Sequence, residues 1–185
     1  MTAFVGQSWH TFGRRILGAM LLDAHTYEEV EADGRATRQA VAVVVLASMA
    51  GGIGLLGVGV PNPQALAGGV IGALIGWMAW AALTYMIGTR LLPEPQTLAS
   101  VGELLRTTGF ASAPGFFRAL GVVPVLGPSI YAVASVWMLL AMIVAIRQAL
   151  DYESLGRAVG VCVAGWALSL AVAAVIGVLF APSVS

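Results

Sequence analysis

The stretch QAVAVVVLASMAGGIGLLGVGVPNPQALAGGVIGALIGWMAWAALTYMIGT, residues 39–89, runs for 51 positions without one charged side chain. The hydrocarbon core of a bilayer is about 30 Å thick and an α-helix rises about 1.5 Å per residue, so about 20 apolar residues cross it. The stretch therefore holds two crossings. The break falls at Pro61-Asn62-Pro63, because proline opens helices but cannot continue them. We place the spans at 40–60 and 66–88.

Outward from this pair the pattern repeats. Residues 129–146 and 158–180 carry no charge and supply a fourth and a fifth span. Between them and the first pair lies 107–126, which is long enough but contains Pro114, Arg118 and Pro124. Such a segment is either a kinked span or a re-entrant hairpin. Arginine placement favours a crossing. With five spans, one side receives 1–39, 89–106 and 147–157, and with them eight of the nine arginines and all nine acids. Arginine is retained on the cytoplasmic side of a membrane. The expectation is a cytoplasmic 1–39, a five-span domain over 40–180 and an outer tail at 181–185. If 107–126 failed to cross, Arg147 and Arg157 would fall outside.

Composition agrees. Hydrophobic residues make up 59% of the 185 and charged residues 10%, against roughly 45–50% and 25% in soluble domains. The formal net charge is zero, so no field attracts nucleic acid. All the basic residues are arginine, and with so much Ala, Gly and Val this suggests a GC-rich bacterial genome. The expected location is then a bacterial inner membrane. No signal-peptide pattern is expected, since the first apolar run starts near residue 40 and lacks a small-residue cleavage site. Cys162, the one cysteine, sits in an apolar run and reads as an inert buried thiol.

Two segments precede the first span. Val5, Trp9, Phe12, Ile16 and Met20 recur at spacings of 4, 3, 4 and 4, one face of a helix. We expect a short amphipathic helix in the membrane interface, with Arg14 and Arg15 near lipid phosphates, or else packed on the bundle. The acidic TYEEVEAD, 26–33, follows. Thr26 and Glu29 match a capping box, which starts a helix at Thr26, and Glu31 precedes Arg35 at the i,i+4 spacing of an ion pair. This segment is either a solvated helix paired to loop arginines or a partner-binding surface of Tyr27, Glu28, Glu29, Glu31, Asp33 and Arg35. A divalent-metal site at Glu28 and Glu31 is the third reading, without a His or Cys to support it. His10 and His25 read as surface residues.

Inside the spans, Gly68, Gly72 and Gly76 form two G-x-x-x-G steps, and Gly165, Ser169, Ala173 and Gly177 repeat small residues every four positions. Without a hydrophobic push between helices in lipid, close backbone contact supplies the attraction. The faces predict helix packing within the chain, or a homodimer seam. Trp77, Trp80, Trp137 and Trp166 read as packing residues. Arg118 is the one charge in the membrane. It either snorkels outward, has its guanidinium satisfied by carbonyls freed at Pro114, or binds lipid or an anionic solute. The spans contain no Asp, Glu, His or Lys, which counts against an ion-coupled carrier. No nucleophile has a base, and no metal-ligand cluster or phosphate loop is present, so we expect no enzyme and no cofactor.

Several motifs together resemble the Yip family of membrane proteins, named for interaction with Ypt/Rab GTPases, in its bacterial branch. They are DAHTYEEVEADGRATRQA (23–40), GELLRTTGFASAPG (102–115), the PVLGP turn (124–128) and WMLLAMIVAIRQALDY (137–152). The resemblance covers roughly residues 10–180. It implies the five-span all-α fold. Eukaryotic members are implicated in ER–Golgi vesicle traffic and carry an Asp-Leu-Tyr-Gly-Pro stretch where DAHTYEEV stands here, so a Rab partner does not follow. The expected function is a membrane scaffold or adaptor that binds a cytoplasmic protein or itself and shapes the bilayer. The rival is a small channel, lipid transporter or scramblase that uses the broken third segment.

Overall fold

The computed structural model describes residues 2–56, 63–123 and 125–179; for 2–9 and 172–179 it describes the backbone alone. The described residues are helical and contain no strand. The α-helices are α1 (Thr2–Met20), α2 (Ala24–Ala32), α3 (Ala36–Leu55), α4 (Pro63–Met86), α5 (Val101–Phe110), α6 (Gly127–Ala149) and α7 (Leu155–Leu179). A π-helical turn, Ile87–Leu91, extends α4, and a 3-10 helix, Ala113–Val122, follows α5.

Three helices are long and apolar enough to cross a membrane: Ala36–Leu55, Pro63–Leu91 and Gly127–Ala149. Helix α7, Leu155–Leu179, is apolar too, and its side chains are described over Leu155–Ala171. Pro63 opens α4, at the first helical position, where its missing N–H goes unmissed. Pro61, Asn62, Pro124 and the tail 181–185 lie outside the described residues.

The third expected span is not one α-helix. Ser100 caps α5 by accepting from the Glu103 N–H (3.2 Å), and the Glu103 carboxylate accepts from the Ser100 N–H (2.7 Å). The helix stops at Phe110 because Pro114 lacks an N–H and its ring would strike the carbonyl four residues back. The chain then tightens into a 3-10 helix of ten residues, well beyond the usual three or four.

Three glycines show how this segment runs. A Cβ on Gly109 would stand 2.7 Å from the Cβ of Ala40, one on Gly115 3.2 Å from that of Ala47, and one on Gly121 3.5 Å from the Cα of Gly54. Ala40, Ala47 and Gly54 are seven apart, on one face of α3. The broken segment therefore advances beside α3 in the same direction, over about 21 Å of its axis, and does not fold back as a hairpin. α6 returns antiparallel. Its Tyr131 lies at Gly121 and donates to the Gly51 carbonyl, Met138 lies at Gly115, and Gln148 reaches Glu28 on α2 (2.8 Å).

The first core cluster joins this trio to the amino-terminal helices. Tyr27, Val30, Ala40, Val43, Phe110 and Ala141 are fully buried in it, with Phe12, Ile16 and Met20 of α1 packed against it. A second cluster links the ends of α4 and α6 to the start of α7 through Ile146, Leu150, Val161 and Cys162, the last a buried free thiol. At the π turn, the Tyr152 hydroxyl lies 2.9 Å from the Gly88 carbonyl and 2.7 Å from that of Leu92, tying the α6–α7 loop to the end of α4.

Candidate functional site

Charged side chains gather at one end of the bundle. There α2 begins two residues earlier than the Thr26–Glu29 pattern predicts. Asp23 is the N-cap, accepting from the His25 N–H (3.3 Å), the Thr26 N–H (3.2 Å) and the Thr26 hydroxyl (2.6 Å). These bonds, the hydroxyl first, hold the Asp23 carboxyl below the usual carboxylate range. Thr26 is thus a hydroxyl donor to the cap, not the cap, and Glu29 is engaged elsewhere.

Arg15 organises the segment. It is 5% exposed, and donates to Glu29 (3.0 Å), Asp33 (2.9 Å) and Gln39 (2.8 Å), which corrects the expectation that it faces lipid phosphates. α1 is therefore docked on α2 at this residue. Arg14 is exposed and makes two bonds to Glu29, of 2.9 and 2.8 Å. Burial raises the Asp33 carboxyl, but bonds from Arg15 and the Arg35 N–H outweigh it and leave the group below its ordinary range. Arg106 on α5 donates from Nε to the carbonyls of Val30 (3.2 Å) and Glu31 (3.0 Å), and from Nη2 to Glu31. It caps the carbonyl end of α2, where a cation also answers the helix dipole.

Of the expected partner-binding residues, Tyr27 is unavailable: it is fully buried and donates to the Ala19 carbonyl (3.1 Å). Glu29 and Asp33 are taken up by arginines. Glu31 makes no ion pair with Arg35, because α2 ends at Ala32 and Arg35 lies beyond the helix. Instead Glu31 is partly buried near Asp151, Glu103 and Glu28. Burial first, then repulsion from those carboxylates against the pull of Arg106, raises it to about 7. Glu28 is exposed, held by Gln148 and facing His25 at 3.8 Å. Among the described residues no group of three or more His, Cys, Asp or Glu side chains could hold a metal ion. Two contacts complete this end: Arg157 pairs with Glu94 (3.3 Å), and the Glu153 N–H donates to Glu94 (2.9 Å).

The second arrangement lies within the bundle. Arg118, on the 3-10 helix, donates from Nη2 to the Ser135 hydroxyl of α6 (2.9 Å), and its Cζ stands 5.7 Å from the centre of the Tyr131 ring. The expected satisfaction by carbonyls at Pro114 is not found among the described bonds. Pro114 is itself buried and acts on the backbone. The Arg118 Nε is buried with no acceptor. The Arg118 residue lines an open-sided cavity of about 290 Å³ between α3, α4, α6 and the broken segment, walled also by Val44, Trp77, Trp80 and Met138. Sequence reasoning missed this cavity, and with it Trp80, whose buried Nε1 also lacks an acceptor.

The small-residue faces differ from each other. Added Cβ atoms on Gly68, Gly72 and Gly76 would meet no atom of the described residues within 4 Å, and Gly76 lines the same cavity as Arg118. Gly165 packs under Trp80, where a Cβ would stand 2.9 Å from the ring, and the Ser169 hydroxyl donates to the Gly165 carbonyl (2.8 Å). The side chains at Ala173 and Gly177 lie outside the described residues.

A model of the Yip1 domain matches residues 18–177, nearly the whole chain. No curated protein and no solved structure matches it.

Proposed function

The chain belongs to the Yip1 domain family, and on that premise we propose that it is a five-span membrane scaffold or adaptor of a bacterial inner membrane. Its charged end faces the cytoplasm and binds a protein partner, while the α4 stripe through Gly68 and Gly72 binds a second copy. The observation that carries this reading is the platform at the charged end. Arg15, Arg106 and Gln148 fix α2 against α1, α5 and α6. Glu28 and Asp151 remain exposed on that platform. A rigid surface with presented carboxylates suits a docking role.

Photo-crosslinkers placed at Glu28, Asp151 and Ile71 in the native membrane test it. The expected products are a discrete protein adduct at the first two and an adduct of twice the chain's mass at Ile71. Adducts with lipid alone at all three positions would argue against a scaffold. The second reading, a lipid transporter or scramblase, is favoured by the broken helix beside a cavity. Flux in proteoliposomes that Arg118→Gln abolishes would select it.

A further inference from the structure

We infer that the cavity at Arg118 is a binding site for an oxyanion, a phosphate group, with the Arg118 Nε and the Trp80 Nε1 as its donors. The inference rests on the membrane reading of the chain, and not on the docking role of the charged end.

Both donors are buried and without acceptors, and both belong to side chains that wall the same cavity. In an apolar medium each unmet donor costs several times what it costs in water. The other polar groups of the cavity do not relieve them. The Ser48 hydroxyl donates to the Val45 carbonyl, the Ser112 hydroxyl lies 3.4 Å from the Thr108 carbonyl, and the Trp77 N–H is taken by Thr108. No carboxylate forms an ion pair with Arg118 among the described residues. The site thus presents one positive charge and spare N–H groups, with nothing to repel an anion. An acceptor-only, negatively charged group is the complement.

Both donors are also held in place. Arg118 is fixed by Ser135 and the Tyr131 ring, and the six-membered ring of Trp80 is fixed at Gly165. Binding therefore costs little side-chain ordering. The remaining walls, Val44, Ala47, Met138 and Met142, are apolar. They suit the glycerol and acyl portion of a phospholipid beside its phosphodiester. A free phosphate offers the same oxygens without that portion.

The purified full-length chain is examined by native mass spectrometry and by ³¹P NMR titration, with phosphatidylglycerol and inorganic phosphate as separate probes. We expect one phosphatidylglycerol per chain. Trp80→Phe keeps the ring and removes only the N–H, and should weaken binding about fivefold. Arg118→Gln should weaken it by more than about tenfold. Arg118→Lys keeps the charge without the Nε and should fall between. Arg90→Gln, an exposed arginine at the charged end, should change nothing. Retention of phosphatidylglycerol alone makes the source a lipid, and retention of phosphate alone makes it a solute. Either supports the inference when Trp80→Phe and Arg118→Gln weaken it. No binding of either probe, or binding that both variants leave intact, overturns it. Crosslinking at Glu28 is unaffected by these outcomes, so failure here is separable from failure of the scaffold reading.

Discussion

Gly54 and Gly72 look alike in the sequence, each in a small-residue run of an uncharged helix, yet their surroundings are opposite. A Cβ on Gly54 would stand 2.0 Å from the Arg118 carbonyl oxygen and 2.8 Å from the Tyr131 hydroxyl, while one on Gly72 meets nothing within 4 Å. The carbonyl belongs to the backbone and cannot swing aside. Gly54→Ala should destabilise the detergent-solubilised protein by about 1–3 kcal/mol. Gly72→Ala should be neutral or slightly stabilising in the monomer. Paired thermal melts decide, and equal melting temperatures would refute the crossing point. The G-x-x-x-G spacing marks Gly68, Gly72 and Gly76 and passes over Gly115 and Gly121 because it describes α-helical faces. Gly115 and Gly121 are six apart, two turns of a 3-10 helix, and that period was the readable sign of a close-packed non-α segment. Glu31 gives a second residue-scale expectation. Its folded value, about 7, lies above the ordinary 4.5. Its contribution to stability is full below about pH 4.5 and is lost as pH rises through 7. Glu31→Gln should therefore match the parent at pH 4.5 and exceed it at pH 8. The gain should be on the order of 1–2 kcal/mol, given the solvent that reaches the carboxylate. A difference that does not change with pH would mean that the carboxylate is not strained.

At the scale of elements, the docking of α1 depends on one guanidinium. Removing Arg15 leaves Glu29 to Arg14 alone and Asp33 without its side-chain partner, in a place where solvent barely reaches the arginine. Breaking a buried pair from one side costs about 3–5 kcal/mol. Arg15→Gln should detach α1, seen as faster hydrogen exchange over residues 10–20 with α3 and α6 unchanged. Arg14→Gln, which removes an exposed pair, should cost under about 1 kcal/mol. Equal protection of α1 in both variants would refute Arg15 as its anchor. The amphipathic period of α1 was legible from Phe12, Ile16 and Met20. What its polar flank meets was not, because Arg15 finds its acceptors 14 to 24 residues away in the chain. Capping shows the same limit. Ser100–Glu103 and Thr26–Glu29 both fit the box pattern, and only the first serves, since Asp23 offers α2 a stronger acceptor three residues ahead of Thr26. The break at Pro114, by contrast, is covalent chemistry and could be read directly.

For the whole molecule, the direction of the broken segment bears on the parity of crossings that the charges predict. Ala36–Leu55, Pro63–Leu91 and Gly127–Ala149 have the length and apolarity to span. The segment from Gly109 to Gly121 climbs beside α3 from Ala40 to Gly54. The ten-residue α5 thus keeps pace with α3 by continuing as a narrower, steeper helix, about 2.0 Å per residue against 1.5. If this segment crosses, as the charges predict, Arg147 and Arg157 fall on the same side as Arg14, Arg15 and Arg106. The corresponding test replaces Cys162, which is 3% exposed, by serine and introduces single cysteines. A membrane-impermeant maleimide applied to intact cells should label Asn62→Cys and Ser183→Cys. It should reach Leu98→Cys and Glu153→Cys, both exposed at the charged end, only after permeabilisation. If the broken segment turned back instead, Glu153→Cys would react from outside together with Asn62→Cys while Leu98→Cys stayed protected. That single reversal would remove the α6–α7 loop from the cytoplasmic platform. It would also contradict the bond between Gln148 and Glu28, because two side chains on opposite faces of a bilayer cannot meet.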